Sequence, residues 1–182
     1  MCHRQVDGDE LTYRTLPGTE PPLAGYFTRG SGHYQNVRYT VSGEVYARKL
    51  DRLARKFETI REALPDPVVD GEKSKLGIVA FGSTFNAIQE ARERLREAGL
   101  EVDFLRVRAL PLNQKVTKFV GGHERVYVIE MNRDGQLYDL LRLHLPAELV
   151  GRLTSIRRYD GQPIPADAIT RPILELEAVP AT

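Results

Sequence analysis

The sequence predicts an α/β fold: a three-layer, mainly parallel sheet with flanking helices, preceded by an extended arm and a basic helix. Three observations predict it. Leu76-Gly77-Ile78-Val79-Ala80-Phe81 is a continuous apolar run followed by a Gly82-Ser83-Thr84 turn, as expected for a strand covered on both faces. From there onward, strand-like runs alternate with segments of helical spacing, which implies right-handed crossovers and a parallel sheet. Before Gly43, Gly, Pro, Thr and Tyr are too dense for long helices (Leu16-Pro17-Gly18-Thr19, Glu20-Pro21-Pro22, Arg29-Gly30-Ser31-Gly32-His33).

The arm, residues 1–43, has room for short strands at 23–28 and 37–41. An arm of this length with little regular structure usually packs on something. In the next segment, 44–74, Val45, Leu50, Leu53, Phe57, Ile60 and Leu64 recur mostly at spacings of three and four, which predicts a helix. Ser42 or Gly43 starts it, Pro65 ends it, and 65–74 reads as a linker. Arg48, Lys49, Arg52, Arg55 and Lys56 make this helix basic.

The α/β domain is expected over 75–182. After the first strand comes a helix with Phe85, Ile88, Ala91, Leu95 and Ala98 on one face, stopped by Gly99. Strands follow at 102–107, 126–129 and 153–156. A short helix is expected after Asn113, ended by Gly121-Gly122, another over 134–145, and a last one opened by Pro165-Ala166-Asp167.

Composition narrows the function. Net charge is +1, so no global field draws the chain to nucleic acid or a membrane. The basic helix lacks interleaved stacking aromatics and is read as contacting a phosphate-bearing cofactor or an acidic subunit face, or as simply solvated. No apolar run approaches the ~18 residues of a membrane span, and no secretory signal follows Met1, so a cytoplasmic location is expected. The one cysteine, Cys2, cannot form a CxxC pair or a four-cysteine iron–sulfur site. His3, His33, His123 and His144 are far apart and predict no metal site. Ser31, Ser42, Ser83 and Ser155 lack a GxSxG elbow, and no catalytic residue is assigned.

Sites in parallel sheets form at the carboxyl ends of strands. Two clusters fall there. Gly82, Ser83 and Thr84 precede a helix, where backbone N–H groups and the helix dipole suit an anion; the plainer reading is a tight turn with a Ser or Thr cap. Glu130, Asn132, Gly135 and Gln136 follow the third predicted strand and either recognise a ligand, contact a neighbouring subunit, or form a loop in which Asp134 caps the next helix. His33, in a Gly-rich loop, is the one histidine retained as a ligand or interface candidate.

The segments also resemble a family when taken in order. Leu16-Pro17-Gly18 and Tyr26-Phe27-Thr28-Arg29-Gly30 precede the helix Arg48-Lys49-Leu50-Asp51-Arg52-Leu53-Ala54-Arg55-Lys56-Phe57-Glu58. Then come Ile78-Val79-Ala80-Phe81-Gly82-Ser83-Thr84, Val107-Arg108-Ala109-Leu110-Pro111, Glu130-Met131-Asn132 with Gly135-Gln136-Leu137, and Tyr159-Asp160-Gly161. This order resembles the C-terminal part of the α subunit of 2-oxoacid:ferredoxin oxidoreductases, of the 2-oxoglutarate synthase type. The resemblance implies a transketolase C-terminal-like domain with a structural, non-catalytic role inside a complex. That complex uses thiamine diphosphate with Mg2+, coenzyme A and iron–sulfur clusters, none of which this chain itself is expected to hold. The implied partners are the β subunit, the other α-subunit domain and, through the complex, ferredoxin; a dimer is left open. The alternative is a stand-alone module for a small anionic ligand at the strand ends. The family's Glu-His-Asp-Glu run is replaced here by Gly32-His33-Tyr34-Gln35.

Overall fold

The computed structural model describes residues 16, 18–20, 34, 39–71 and 74–177. The chain divides into two units, Met1–Ala63 and Leu64–Thr182. In the first, helix α1 spans Gly43–Ala63. Ser42 starts it: its Oγ accepts the Val45 N–H at 3.4 Å and its carbonyl accepts the Tyr46 N–H at 3.0 Å. The strand expected at 23–28 lies outside the described residues. Of the one expected at 37–41, Tyr39 forms an isolated bridge while Thr40 and Val41 carry no strand.

The second unit is built on five strands: β1 (Val68–Asp70), β2 (Leu76–Phe81), β3 (Val102–Val107), β4 (Arg125–Glu130) and β5 (Leu153–Arg157). Their order is β1-β3-β2-β4-β5. All neighbours are parallel except β1, which runs antiparallel to β3 with Val69 opposite Leu105. The mainly parallel sheet expected from the alternation is therefore present, with an antiparallel edge added.

Helices cover both faces. On one, Ile78 and Ala80 of β2 and Phe104 of β3 pack with α2 (Phe85–Glu97) and α6 (Asp167–Glu177) through Ile88, Ala91, Leu95, Ile169 and Ile173. On the other, Val79, Leu105 and Val128 pack with α3 (Gln114–Gly122) and α4 (Gln136–His144) through Val116, Phe119, Val120, Leu137 and Leu141. Alternate residues of β2 thus serve opposite layers, which is why its sequence is apolar throughout. Ile78, Val79 and Ala80 are fully buried. Burying an aliphatic side chain of this kind contributes about 1.5–3 kcal/mol.

Four local features differ from the sequence expectation. Val68–Asp70, inside the expected linker, forms edge strand β1, held by Arg92 of α2: its guanidinium pairs with the Asp70 carboxylate, and its Nε donates to the Val102 carbonyl at 2.9 Å. Gly121 and Gly122 lie within α3, and a one-turn helix α5 (Ala147–Val150) follows Pro146. Helix α4 begins at Gln136, not Asp134, because Gly135 turns the chain through φ +73°.

Candidate functional site

The carboxyl ends of β2, β4 and β5 bring the expected polar residues to one edge of the sheet. Glu130, the last residue of β4, is fully buried. Its Oε2 accepts the Leu137 N–H at 2.8 Å and the Asn132 Nδ2–H at 2.5 Å, and its Oε1 accepts the Tyr138 N–H at 3.1 Å. Asn132 Oδ1 accepts from Gly135 N at 2.7 Å and Gln136 N at 3.2 Å. The first N–H groups of α4, which have no partner inside the helix, are all satisfied by two side chains. The helix dipole also favours a carboxylate at this end.

Gly135 supplies the left-handed backbone that the turn requires, at φ +73°. It is buried, and a Cβ there would meet Glu130 Oε1 at 3.6 Å and Arg157 Cδ at 3.5 Å, ordinary contact distances, so the constraint is the backbone conformation. Gln136 contributes its backbone N–H, and its side chain is exposed. The expected Asp134 cap is not formed; Asp134 instead accepts a hydrogen bond from Arg133 Nε at 2.7 Å. Glu130, Asn132, Gly135 and Gln136 are thus brought together as a closed capping device.

Gly82–Thr84 form one 3-10 turn between β2 and α2. Thr84 is buried, and its Oγ1 donates to the Phe81 carbonyl at 2.9 Å. No side chain accepts from the start of α2, so the Ser or Thr cap expected there is absent. Asn113 does cap α3, accepting from Lys115 N at 3.1 Å. Ser83 is exposed and lines an open groove of about 520 Å³ with Asn86, Met131, Arg158, Tyr159 and Gln162. The groove lies where the chain order reverses, β2 having β3 on one side and β4 on the other, the place where open α/β sheets bind ligands.

Arg158 in this groove pairs with Asp160 at 2.6 Å. Asp160 is held below the usual carboxylate range, first by the Gln162 backbone N–H and then by Arg158. Apolar side chains cross the same edge: Phe81, Leu110, Met131 and Tyr159, at or just beyond the ends of β2, β3, β4 and β5, are all exposed. His33 lies outside the described residues.

A second polar cluster sits at the opposite, amino-terminal edge. His123 and Asp103 are both buried. His123 Nδ1 is 2.6 Å from the Phe119 carbonyl, and Nε2 is 3.2 Å from Asp103 Oδ2, which also accepts the Ser74 N–H at 3.1 Å. Sequence reasoning missed this pair, as it missed Asn86, Arg158 and Gln162, because sequence distance hides partners that the sheet brings together. Among the described residues, no three His, Cys, Asp or Glu side chains converge as a metal site would require.

No family model matches the chain. It is 37% identical over 116 residues to subunit alpha of 2-oxoacid:ferredoxin oxidoreductase 2 from Aeropyrum pernix, a match covering 60% of this chain and 18% of that protein. Its fold is similar to the 2-oxoglutarate:ferredoxin oxidoreductase of Magnetococcus marinus, solved with 2-oxoglutarate, coenzyme A and succinyl-CoA bound. The TM-score is 0.75 at 22% identity, over 94% of this chain and 30% of that one. The chain therefore spans less than a fifth of its curated relative's length. The motif order and the sequence match agree: the chain is similar to part of the α subunit of a 2-oxoacid:ferredoxin oxidoreductase.

Proposed function

We propose that this chain is a structural and assembly domain of the α subunit of a thiamine-diphosphate-dependent 2-oxoacid:ferredoxin oxidoreductase. The complex would decarboxylate a 2-oxoacid oxidatively to its acyl-CoA, and 2-oxoglutarate, bound by the Magnetococcus enzyme, is the first acid to try. The observation that carries this reading is the state of Glu130. Both of its oxygens are committed to α4 and Asn132, so the most specific polar motif holds the fold and offers substrate no free base. Beside it, the exposed row of Phe81, Leu110, Met131 and Tyr159 is suited to a subunit contact.

The residues of this chain do not fit an iron–sulfur cluster. A single cysteine cannot ligate an iron–sulfur cluster, and the Glu130 carboxylate is already consumed by its own helix. The clusters are therefore assigned to the rest of the complex, and this reading places thiamine diphosphate, Mg2+ and coenzyme A on the β subunit and the other domains as well; the complex passes electrons to ferredoxin in the cytoplasm. Co-expression with the β and pyrimidine-domain chains tests the reading. The chain should co-purify with them, and Phe81→Asp with Leu110→Asp should weaken the association. A chain that stays apart would overturn it.

A second reading is favoured by the groove alone. Ser83, Asn86, Arg158 and Gln162 surround the uncapped start of α2, an arrangement suited to a small anionic ligand. The candidate residues for this use are Gly82, Ser83 and Thr84. Thermal-shift titration with coenzyme A, nucleotides and 2-oxoacids discriminates, since a ligand at ~100 times its Kd adds about 2.7 kcal/mol. An absence of shift with all of them removes this second reading.

A further inference from the structure

The buried pair His123 and Asp103 plays no part in the proposed function. Each is only 6% exposed, so their contact is shielded from solvent. His123 ends α3, where its backbone N–H donates to the Val120 carbonyl at 3.3 Å. Its ring joins two elements. Nδ1 is 2.6 Å from the Phe119 carbonyl oxygen of α3, and Nε2 is 3.2 Å from Asp103 Oδ2 of β3. The ring has little room to turn away. The Phe119 ring lies 4.2 Å from it, centroid to centroid, and a Cβ on Gly77 of β2 would stand 3.2 Å from its Cδ2.

The partners of the ring decide where its hydrogens sit. A backbone carbonyl only accepts, so Nδ1 carries a hydrogen. A carboxylate also only accepts, and Asp103 Oδ2 already takes the Ser74 N–H at 3.1 Å. Nε2 therefore carries a hydrogen too, and a ring with both is the imidazolium cation. The last carbonyls of α3 favour a cation at this place. We infer that His123 is a proton-operated latch between the end of α3 and β3. With both hydrogens, the ring bonds to the Phe119 carbonyl and to Asp103 together. With one, a lone pair faces one of these acceptors and that bond is lost. The latch is thus closed at low pH and opens as pH rises. Among the described residues, two further charged groups adjoin the ring's own backbone. Arg152, before β5, donates from Nη1 to the His123 carbonyl at 2.7 Å, and Glu124 pairs with Lys75 at 2.9 Å on the exposed surface. Gly77 of β2 and Phe119 of α3 face the ring, and neither titrates. The inference does not rest on the oxidoreductase reading.

The test uses the full chain. NMR of isotope-labelled histidine should show hydrogens on both ring nitrogens of His123 at pH ~5 and on one at pH ~9, either side of the range in which an imidazole changes charge. His123→Phe keeps a ring against Phe119 and removes both bonds. Its melting temperature should lie below the parent's at pH ~5, and the gap should narrow by about 2–4 °C by pH ~9. Asp103→Asn, which keeps an acceptor for Ser74, should also flatten the parent's pH dependence. The inference is overturned if one ring nitrogen of His123 is bare at pH ~5, if both hydrogens persist at pH ~9, or if the melting gap is the same at both. Should His123→Phe fail to fold, the NMR titration of the parent decides alone.

Discussion

The buried carboxylate of Glu130 accepts the backbone N–H of Leu137 at 2.8 Å, so the last residue of β4 caps the helix that follows it. The connection between strand and helix is thereby closed on itself, and the stability of this edge of the sheet should depend on it.

Glu130→Gln replaces one accepting oxygen with an NH2 group that cannot accept from Leu137 or Tyr138. Losing a charged, buried cap should cost about 2 kcal/mol, and Glu130→Ala more. Urea unfolding should show a lower midpoint at unchanged slope. A variant as stable as the parent would mean that the carboxylate does not hold α4.

Gly77→Ala should destabilise by about 1–3 kcal/mol through overpacking. Its Cβ would stand 2.8 Å from Phe119 Cε1 and 3.2 Å from His123 Cδ2. Phe119→Leu, costly alone, should recover part of the loss in the double variant. Strict additivity in the double-mutant cycle would refute the contact.

Asp103→Ala removes the acceptor for Ser74 N–H and the hydrogen-bond partner of His123 Nε2 together. The loss should be about 2–4 kcal/mol, since partners stay buried and unsatisfied. Amide hydrogen exchange is the sharper reading: the Ser74 N–H should lose protection. Retained protection there would count against the bond.

Tyr127 makes stability fall in alkali. Its phenol is pushed up to about 12, first by burial and then by its hydrogen bond to Glu177. An unfolded tyrosine ionises near 10, so the folded chain holds this proton more tightly. The stabilisation is present in full below pH ~10 and is lost as pH rises toward about 12. Melting temperatures between pH 9 and 12 should therefore fall more steeply for the parent than for Tyr127→Phe. Parallel curves would exclude the linkage.

Much of the α/β unit was legible in the residues themselves. β2 announces itself by six apolar or small residues, and α2 by Ile88, Ala91 and Leu95 on one face, because both patterns repeat within a turn or two of chain. β1 was not legible: Val68-Val69-Asp70 is too short for a period, and its strand character comes from the open edge of β3 and the Arg92 clip. The start of α4 was displaced by two residues because a left-handed Gly135 is a property of the folded turn. Glu130, Asn132, Gly135 and Gln136 were legible as a cluster, but the groove residues Asn86, Arg158 and Gln162 were not, since they meet only after β2, β4 and β5 are aligned.

By itself, then, the sequence determined the alternation of strands and helices, the basic character of α1 and the resemblance to part of the oxidoreductase α subunit. Each depends on residue types at short or ordered spacing. Only the tertiary structure decided what Glu130 does. A carboxylate after a strand has the same letter whether it faces a ligand or a helix. Here Gly135 swings the N-terminus of α4 back over the strand end, and the N–H groups of Leu137 and Tyr138 arrive at its oxygens. The partner of a buried polar group depends on which distant backbone reaches it, and that is settled by packing.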